Sequence, residues 1–386
     1  PKVLHDLCGR PLVRWPVEAA LQAGAELVVV VGGADRALEG HLPEGVELAV
    51  QEEARGTGDA VLSAAGHLRE GDTVVVLSGD VPLITGEAIR ALADAHAAAG
   101  VPATMVTMVL DDPGPYGRVV RDARGDVVKV VEAKAPGDAT AEELEIREVN
   151  TGIYAFDGGP LVDALRQVTP DNAQGEYYLP DVLPILGRTA AHVVDDPALT
   201  LGVNDRVHLA QVRALAQRRI NEQHARNGVT IIHPDTTAID VTVTIGRDTL
   251  IEPATVLRGA TAVGERSRIG PSTTLVDTTL GDGVSVVHSY LVDSTAEDRV
   301  AIGPFVHLRG GSVLREGSKA GTFVEMKNTD VGAGSKVPHL SYLGDATVAR
   351  LSVEPGWTWA SCIKPVVGTE SCQAAHLGYV VSGTIH

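Results

Sequence analysis

The chain is 386 residues long, room for roughly two or three domains and a sizeable core. Lys and Arg number 32 against 50 Asp and Glu, a formal net charge of −18 with no basic block, which excludes binding to a nucleic-acid backbone. No apolar run reaches the roughly 18 residues of a membrane-crossing helix, the opening Pro1-Lys2-Val3-Leu4-His5 has no signal-peptide pattern, and three cysteines fit a reducing, cytoplasmic setting better than a disulfide framework.

The first 200 residues alternate strand and helix signals. Residues 27–31 are a short apolar run closed by Gly32-Gly33, and residues 73–77 are another, closed by Ser78-Gly79-Asp80. Residues 59–68 carry helical spacing, 88–98 an Ala-rich helical pattern, and 103–109 are β-prone again. Continuous β-branched runs separated by helices predict a mainly parallel sheet covered on both faces, so residues 1–205 read as an α/β, Rossmann-like domain. Phe, Trp and Tyr make up only 3% of the chain, so its core is expected from Val, Ile, Leu and Ala. Residues 206–228 lack Pro and Gly until Gly228 and predict one long helix joining two domains.

A repeat follows. Ile239, Ile245, Ile251, Leu257, Val263, Ile269 and Leu275 recur at intervals of six. Thr249, Thr255, Thr261, Ser267, Thr273 and Thr279 each stand four positions after one of them. The register blurs from Leu280 to Val300. It resumes at Ile302, Leu308, Leu314, Ala320 and Met326, and after a shorter step at Val331, Val337 and Leu343, with Ser312, Ser318, Ser335, Ser341 and Thr347 in the hydroxyl positions. A hexapeptide period predicts a parallel β-helix over 229–348, each unit one short strand and a turn with its apolar residue inside. Residues 349–386 keep no hexad register.

Several motifs carry chemistry. Asp80 ends an apolar strand, where open α/β sheets bind ligands, and a carboxylate there suits a hard divalent cation on a phosphorylated substrate; a turn or helix cap would use the same residue. Gln51 with Arg55-Gly56-Thr57-Gly58-Asp59-Ala60 is a glycine-containing loop opening a helix, suited to close approach of a nucleotide or simply to a helix start. Gly117 in Tyr116-Gly117-Arg118, Glu132 and Asn150 in Val149-Asn150-Thr151-Gly152 are spaced polar residues able to read sugar hydroxyls or to serve as loop residues. Asn204 could cap the following helix. On the solenoid, Arg309, Glu325, Lys327, His339 and Tyr342 stand out; a histidine can act as a base at neutral pH, with Glu325 orienting it, or lie idle on the surface.

These segments occur in one order, with Gly9-Arg10-Pro11-Leu12 and Gly79-Asp80-Val81-Pro82-Leu83 ahead of the repeat and Leu308-Arg309, Phe323-Val324-Glu325-Met326-Lys327 and His339-Leu340-Ser341-Tyr342-Leu343-Gly344-Asp345 within it. The set closely resembles the GlmU family of bifunctional N-acetylglucosamine-1-phosphate uridylyltransferases and glucosamine-1-phosphate N-acetyltransferases, over residues 1–348. The resemblance implies an α/β nucleotidyltransferase followed by a left-handed parallel β-helix. It implies that Asp80 and Asn204 hold a catalytic Mg2+, that Lys2 contacts the nucleotide phosphates, that Gln51, Gly56 and Thr57 recognise uridine, and that Gly117, Glu132 and Asn150 bind N-acetylglucosamine. It implies in-line attack of N-acetylglucosamine 1-phosphate on the α-phosphorus of UTP, giving UDP-N-acetylglucosamine and pyrophosphate, cell-envelope precursor chemistry. In the β-helix it implies His339 as the base on glucosamine 1-phosphate, Arg309, Lys327 and Tyr342 as its binding residues, acetyl-CoA as co-substrate, and a homotrimer.

The family's Gly-rich loop precedes its Lys-Val-Leu segment, and further hexads follow its Gly-Asp. A chain bounded as this sequence is written is expected to be a processed product or a fragment, impaired in uridylyl transfer and without useful acetyl transfer. Residues 349–386, with Glu354-Pro355-Gly356-Trp357 and His376-Leu377-Gly378-Tyr379, resemble part of a cupin barrel, and a junction formed by frameshift, recombination or assembly is expected. The alternatives are a nucleotidyltransferase for another sugar or base, a catalytically impaired trimerising solenoid, and a metal-binding cupin.

Overall fold

The computed structural model describes residues 1–114, 116–133, 139–171 and 175–348; the cupin-like reading of 349–386 lies outside the described residues. The N-terminal part opens with an antiparallel hairpin, β1 (Asp6–Leu7) and β2 (Arg10–Pro11), followed by α1 (Arg14–Ala23). β3 (Val29–Gly33) and β4 (Glu47–Gln51) pair in parallel, and α2 (Thr57–Ser63) follows the loop after β4. Next come β5 (Thr73–Val76), α3 (Gly86–Ala99), β6 (Ala103–Val109), β7 (Arg118–Arg121), β8 (Val127–Val131), α4 (Ala141–Leu144), β9 (Glu148–Asp157), α5 (Gly158–Leu165), α6 (Val182–Leu186) and β10 (Thr189–Val193). Helix boundaries follow local chemistry. The Thr85 hydroxyl accepts from the Ala88 N–H at the start of α3, and Gly100 closes that helix in the left-handed conformation, φ +58°.

β5, β6, β7 and β10 run in one direction, and β8 and β9 oppose them. Four of this sheet's six strands thus share one direction; β10 pairs β6 in parallel, as β3 pairs β4, while the other pairings of this sheet are antiparallel. Alternation along the sequence does not reveal that β9 enters antiparallel beside β6, with β5 along its second half and β7 at its first. Its neighbours supply the covered position. Ala155 and Phe156 are fully buried, the Tyr154 and Phe156 rings stack at 5.5 Å, and six consecutive residues of β6 are buried. β3 and β5, expected to be covered on both faces, are only half-buried.

α7 (Arg206–Arg226) leads to the solenoid, turning Leu209, Val212, Ala216 and Ile220 inward. Its polar side chains reach both ways. Arg213 donates to the Asp6 carbonyl at 2.6 Å and Arg219 to the Leu83 carbonyl at 2.6 Å, while Gln217 donates to the Ile239 carbonyl at 3.0 Å.

Beyond α7 the chain winds into three parallel sheets of seven strands each. Ile239, Leu257, Leu275, Leu291, Leu308 and Met326 stack in one of them, all fully buried. The stretch where the hexad register blurs continues the same coil. Leu280, Val286, Leu291, Ala296 and Ile302 all point inward, but some steps between them are five residues rather than six. The shortening displaces one expected position. Thr278 is fully buried and Thr279 faces solvent, whereas Thr249, Thr255, Thr261, Ser267 and Thr273 lie inside as the pattern predicts. At the last described coil Ser341 is half-buried and Thr347 exposed. Several interior hydroxyls are satisfied locally; Thr255 and Thr261 donate to the Glu252 and Arg258 carbonyls, each at 2.7 Å, whereas the buried Ser318 and Ser335 hydroxyls have no protein partner among the described residues.

Candidate functional site

Three residues far apart in sequence meet beyond the carboxyl end of β5. The Lys2 ammonium lies 2.5 Å from Asp80 Oδ2 and 3.4 Å from Asn204 Oδ1. The Ser78 hydroxyl donates to Asp80 Oδ1 at 2.6 Å, and the Val203 N–H donates to the Asp80 carbonyl at 2.9 Å, tying the Asp80 turn to the chain entering α7. Asn204 is not the helix cap. Asp205 takes that role, its Oδ1 accepting from the His208 N–H at 2.8 Å, which leaves the Asn204 carbonyl to face Lys2. Among the described residues no group of three His, Cys, Asp or Glu converges on one point. Two hard oxygen donors that share one cation, an ammonium here, nevertheless fit magnesium, which takes one or two protein oxygens and fills its shell with water and substrate phosphate.

The loop after β4 forms a second cluster, packed against residues 177–179. Gln51 Nε2 donates to the Gly56 carbonyl at 3.2 Å and to Asp59 Oδ2 at 2.8 Å. Arg55 donates to Asp59 Oδ1 at 2.9 Å and lies over the Tyr177 ring at 5.7 Å. Gly56 adopts φ +117°, and a Cβ there would fall 2.5 Å from the Tyr177 carbonyl oxygen. The Thr57 hydroxyl accepts from the Leu179 N–H at 3.0 Å, so it anchors the opposite wall.

A third cluster lies on β7 and β9. The Asn150 N–H donates to the Gly117 carbonyl at 2.9 Å. Asn150 Oδ1 accepts from the Gly152 N–H and the Tyr154 hydroxyl, both at 2.9 Å, which leaves the side-chain NH2 to meet a ligand. A Cβ on Gly117 would press to 2.8 Å from Val130 Cγ1. The buried Arg118 guanidinium donates to the Gly114 carbonyl at 3.0 Å and to that of Tyr116, bracing the loop before Gly117. Glu132 is half-buried. Burial pushes the Tyr154 phenol up, against its bond to Asn150, and burial followed by the Glu132 charge raises the Asp181 carboxyl.

On the solenoid, Arg309, Glu325, Lys327 and Tyr342 belong to adjacent coils of one sheet, with Met326 alternating inward. Arg309 pairs with Glu325 at 3.2 Å. His339 is exposed at the neighbouring corner, and among the described residues Glu325 is engaged by Arg309 rather than by His339, so the expected orienting contact is not made. Exposed Phe305 and Phe323 stack at 5.0 Å beside these residues.

The sequence did not point to Tyr154, Tyr177 and Leu179 as partners of these residues. Tyr154 stands four residues after Asn150 on one strand, a spacing that puts both on one face. Tyr177 and Leu179 carry no local signal, because their partners lie over a hundred residues earlier.

A cation point, a glycine-containing loop and a polar cluster on an α/β sheet, followed by a left-handed parallel β-helix, define a nucleotidyltransferase joined to a hexapeptide-repeat solenoid. Residues 1–142 match the model of the MobA-like NTP transferase domain. The bifunctional protein GlmU of Caldanaerobacter subterraneus subsp. tengcongensis is 46% identical over 354 residues, covering 91% of this chain and 77% of that protein. The bifunctional protein GlmU of Geobacillus sp. is 46% identical over 90% of this chain and 76% of its own length, and that of Mycolicibacterium vanbaalenii 46% identical over 91% and 74%. The chain belongs to the GlmU family of bifunctional uridylyltransferases and acetyltransferases. No helix among the described residues is long and apolar enough to cross a membrane.

Proposed function

We propose that the N-terminal part, residues 1–205, transfers uridylyl from UTP to N-acetylglucosamine 1-phosphate, releasing pyrophosphate and UDP-N-acetylglucosamine. The observation that carries the reading is the convergence of Lys2, Asp80 and Asn204 on one point. Asp80 and Asn204 hold Mg2+, which when bound neutralises charge on the phosphates. The Lys2 ammonium meets phosphate oxygens beside the ion, and Ser78 keeps the Asp80 carboxylate in place. Gln51, Gly56 and Thr57 receive the uridine. Gly117, Glu132 and Asn150 receive the acetylated sugar, with the Asn150 NH2 as the donor to a sugar oxygen. Phosphoryl chemistry of this kind needs alignment and charge neutralisation rather than a covalent enzyme group.

The solenoid, 229–348, is the acetyl-transfer half, joined through the linker 206–228. Arg309, Lys327 and Tyr342 bind glucosamine 1-phosphate, His339 removes a proton from its amine, and acetyl-CoA binds between the subunits of a homotrimer. What supports this is the cationic and aromatic cluster on one exterior face, beside exposed Phe305 and Phe323. The setting of both reactions is the cytoplasm.

The test is pyrophosphate release by this chain with UTP, N-acetylglucosamine 1-phosphate and Mg2+. Asp80→Ala is expected to lower kcat/KM by about a hundredfold or more. Faster release with glucose 1-phosphate or dTTP would reassign the substrate, and release unaffected by Asp80→Ala would overturn the site.

A further inference from the structure

The Gln51 side chain has one face left for a ligand. Its Nε2 carries two N–H groups and both are engaged, one by the Gly56 carbonyl at 3.2 Å and one by Asp59 Oδ2 at 2.8 Å. Carbonyl and carboxylate oxygens only accept, so chemistry fixes which end of the amide lies on that side. Asp59 is well placed to enforce this. It is 9% exposed, in the first turn of α2, and its other oxygen accepts from Arg55 at 2.9 Å, which stops the carboxylate from turning away. Arg55 is itself held, since its carbonyl accepts from the Tyr177 N–H at 2.8 Å and its guanidinium lies over the Tyr177 ring. What Gln51 has left is Oε1, an acceptor.

We propose that Asp59 is a positioning residue that sets base specificity: by engaging the Gln51 donor it leaves an acceptor facing the base, which selects a pyrimidine bearing a proton on N3. The inference rests on the reading of Gln51 as part of the nucleotide pocket. Uracil, joined to ribose through N1, has a single N–H donor, at N3, so Oε1 can engage uracil only there. Cytosine seated in the same way brings an N3 lone pair against Oε1, acceptor against acceptor. A buried polar group left opposed in this way rejects the wrong ligand far more strongly than a missing apolar contact does.

Asp59→Asn is close to isosteric and tests the point directly. A neutral amide offers one oxygen to two donors, so Arg55 and Gln51 compete for it. The Gln51 amide is then free to turn its NH2 toward the base. Affinities of the full chain for UTP and for CTP are measured by titration calorimetry with Mg2+ present, beside kcat/KM for pyrophosphate release with each nucleotide. The preference for UTP over CTP is expected to fall by about tenfold or more in Asp59→Asn. Asp59→Ala, with folding checked by circular dichroism, is expected to shift it the same way. A residue of purely structural importance would weaken both nucleotides by one factor and leave the ratio unchanged, and that result overturns the inference while the uridine pocket stands. An unmodified chain that binds both nucleotides equally, or neither, overturns the pocket reading and the inference with it, before any variant is made.

Discussion

Two side-chain amides in this chain are locked in opposite senses. Gln51 has its N–H groups engaged and offers an acceptor, while Asn150 has its carbonyl engaged and offers donors. For Gln51 the lock lies beside a close approach of backbone, at Gly56. With φ at +117° and the Tyr177 carbonyl oxygen 2.5 Å from where a Cβ would stand, any side chain here meets both a disfavoured backbone conformation and a backbone clash. Gly56→Ala is therefore expected to destabilise the protein by about 2–3 kcal/mol and to weaken UTP binding together with stability. Urea unfolding and nucleotide titration check both. A loss under about 0.5 kcal/mol, the range of ordinary surface substitutions, would mean that the 177–179 segment moves aside freely and that Gly56 is not what seats it.

At the scale of elements, the solenoid was legible because its chemistry is one-dimensional. Each side of a coil contributes one inward residue, so Ile251, Leu257 and Leu275 announce the fold by spacing alone. The pattern blurs at 280–300 because some sides lose a residue, which alters the interval but not the direction of the side chain; Thr278 replaces Thr279 for that reason. The N-terminal sheet was legible as strands but not as neighbours, since nothing local in β9 specifies an antiparallel seat between β6 on one side and β5 and β7 on the other. The site divides in the same way. Lys2, Asp80 and Asn204 each sit in a motif, whereas the Tyr177 and Leu179 wall is a purely long-range contact. Within the coil, packing should outweigh the hydroxyl ladder. Leu275→Ala removes a fully buried side chain from a stack bounded above and below, a loss of about 3–4 kcal/mol. Thr255→Val keeps the shape and removes one bond to the Glu252 carbonyl, a loss of about 1 kcal/mol. Chemical denaturation ranks the two, and the reverse order would mean that the corner hydroxyls, not the apolar stack, hold the coils in register.

For the whole molecule the question is whether the two halves unfold as one. Their interiors are continuous: fully buried Leu7 of the opening hairpin and Leu12 just after it share a core with Leu209 and Val212 of α7 and with Ile239 and Val243 of the first coil. The hairpin docks by backbone as well, the Val241 N–H donating to the Cys8 carbonyl at 2.9 Å and Arg213 to the Asp6 carbonyl at 2.6 Å. Burial pushes the Cys8 thiol up to about 11, so it packs there as a neutral group. The tightest point is Gly9, at φ +82°, where a Cβ would stand 2.7 Å from Asp240 Cβ. The same segment carries Lys2, held one turn earlier by the Val13 N–H to the Val3 carbonyl at 2.9 Å. Docking on the first coil therefore helps to fix the ammonium at Asp80, and Gly9→Val should disturb both together. By scanning calorimetry the unmodified protein is expected to unfold in one transition spanning both halves, and Gly9→Val in two, the earlier belonging to the nucleotidyltransferase part. Uridylyl transfer should fall in step, with KM for UTP rising, if the Lys2 ammonium that loses its support is the group proposed to meet the nucleotide phosphates. Two separate transitions already present in the unmodified protein would sink this coupling, since the shared core would then contribute too little to make the halves cooperate. A variant with split transitions and an unchanged KM would place the support of Lys2 within the Asp80 turn itself, where Ser78 and the Val203 N–H already hold it.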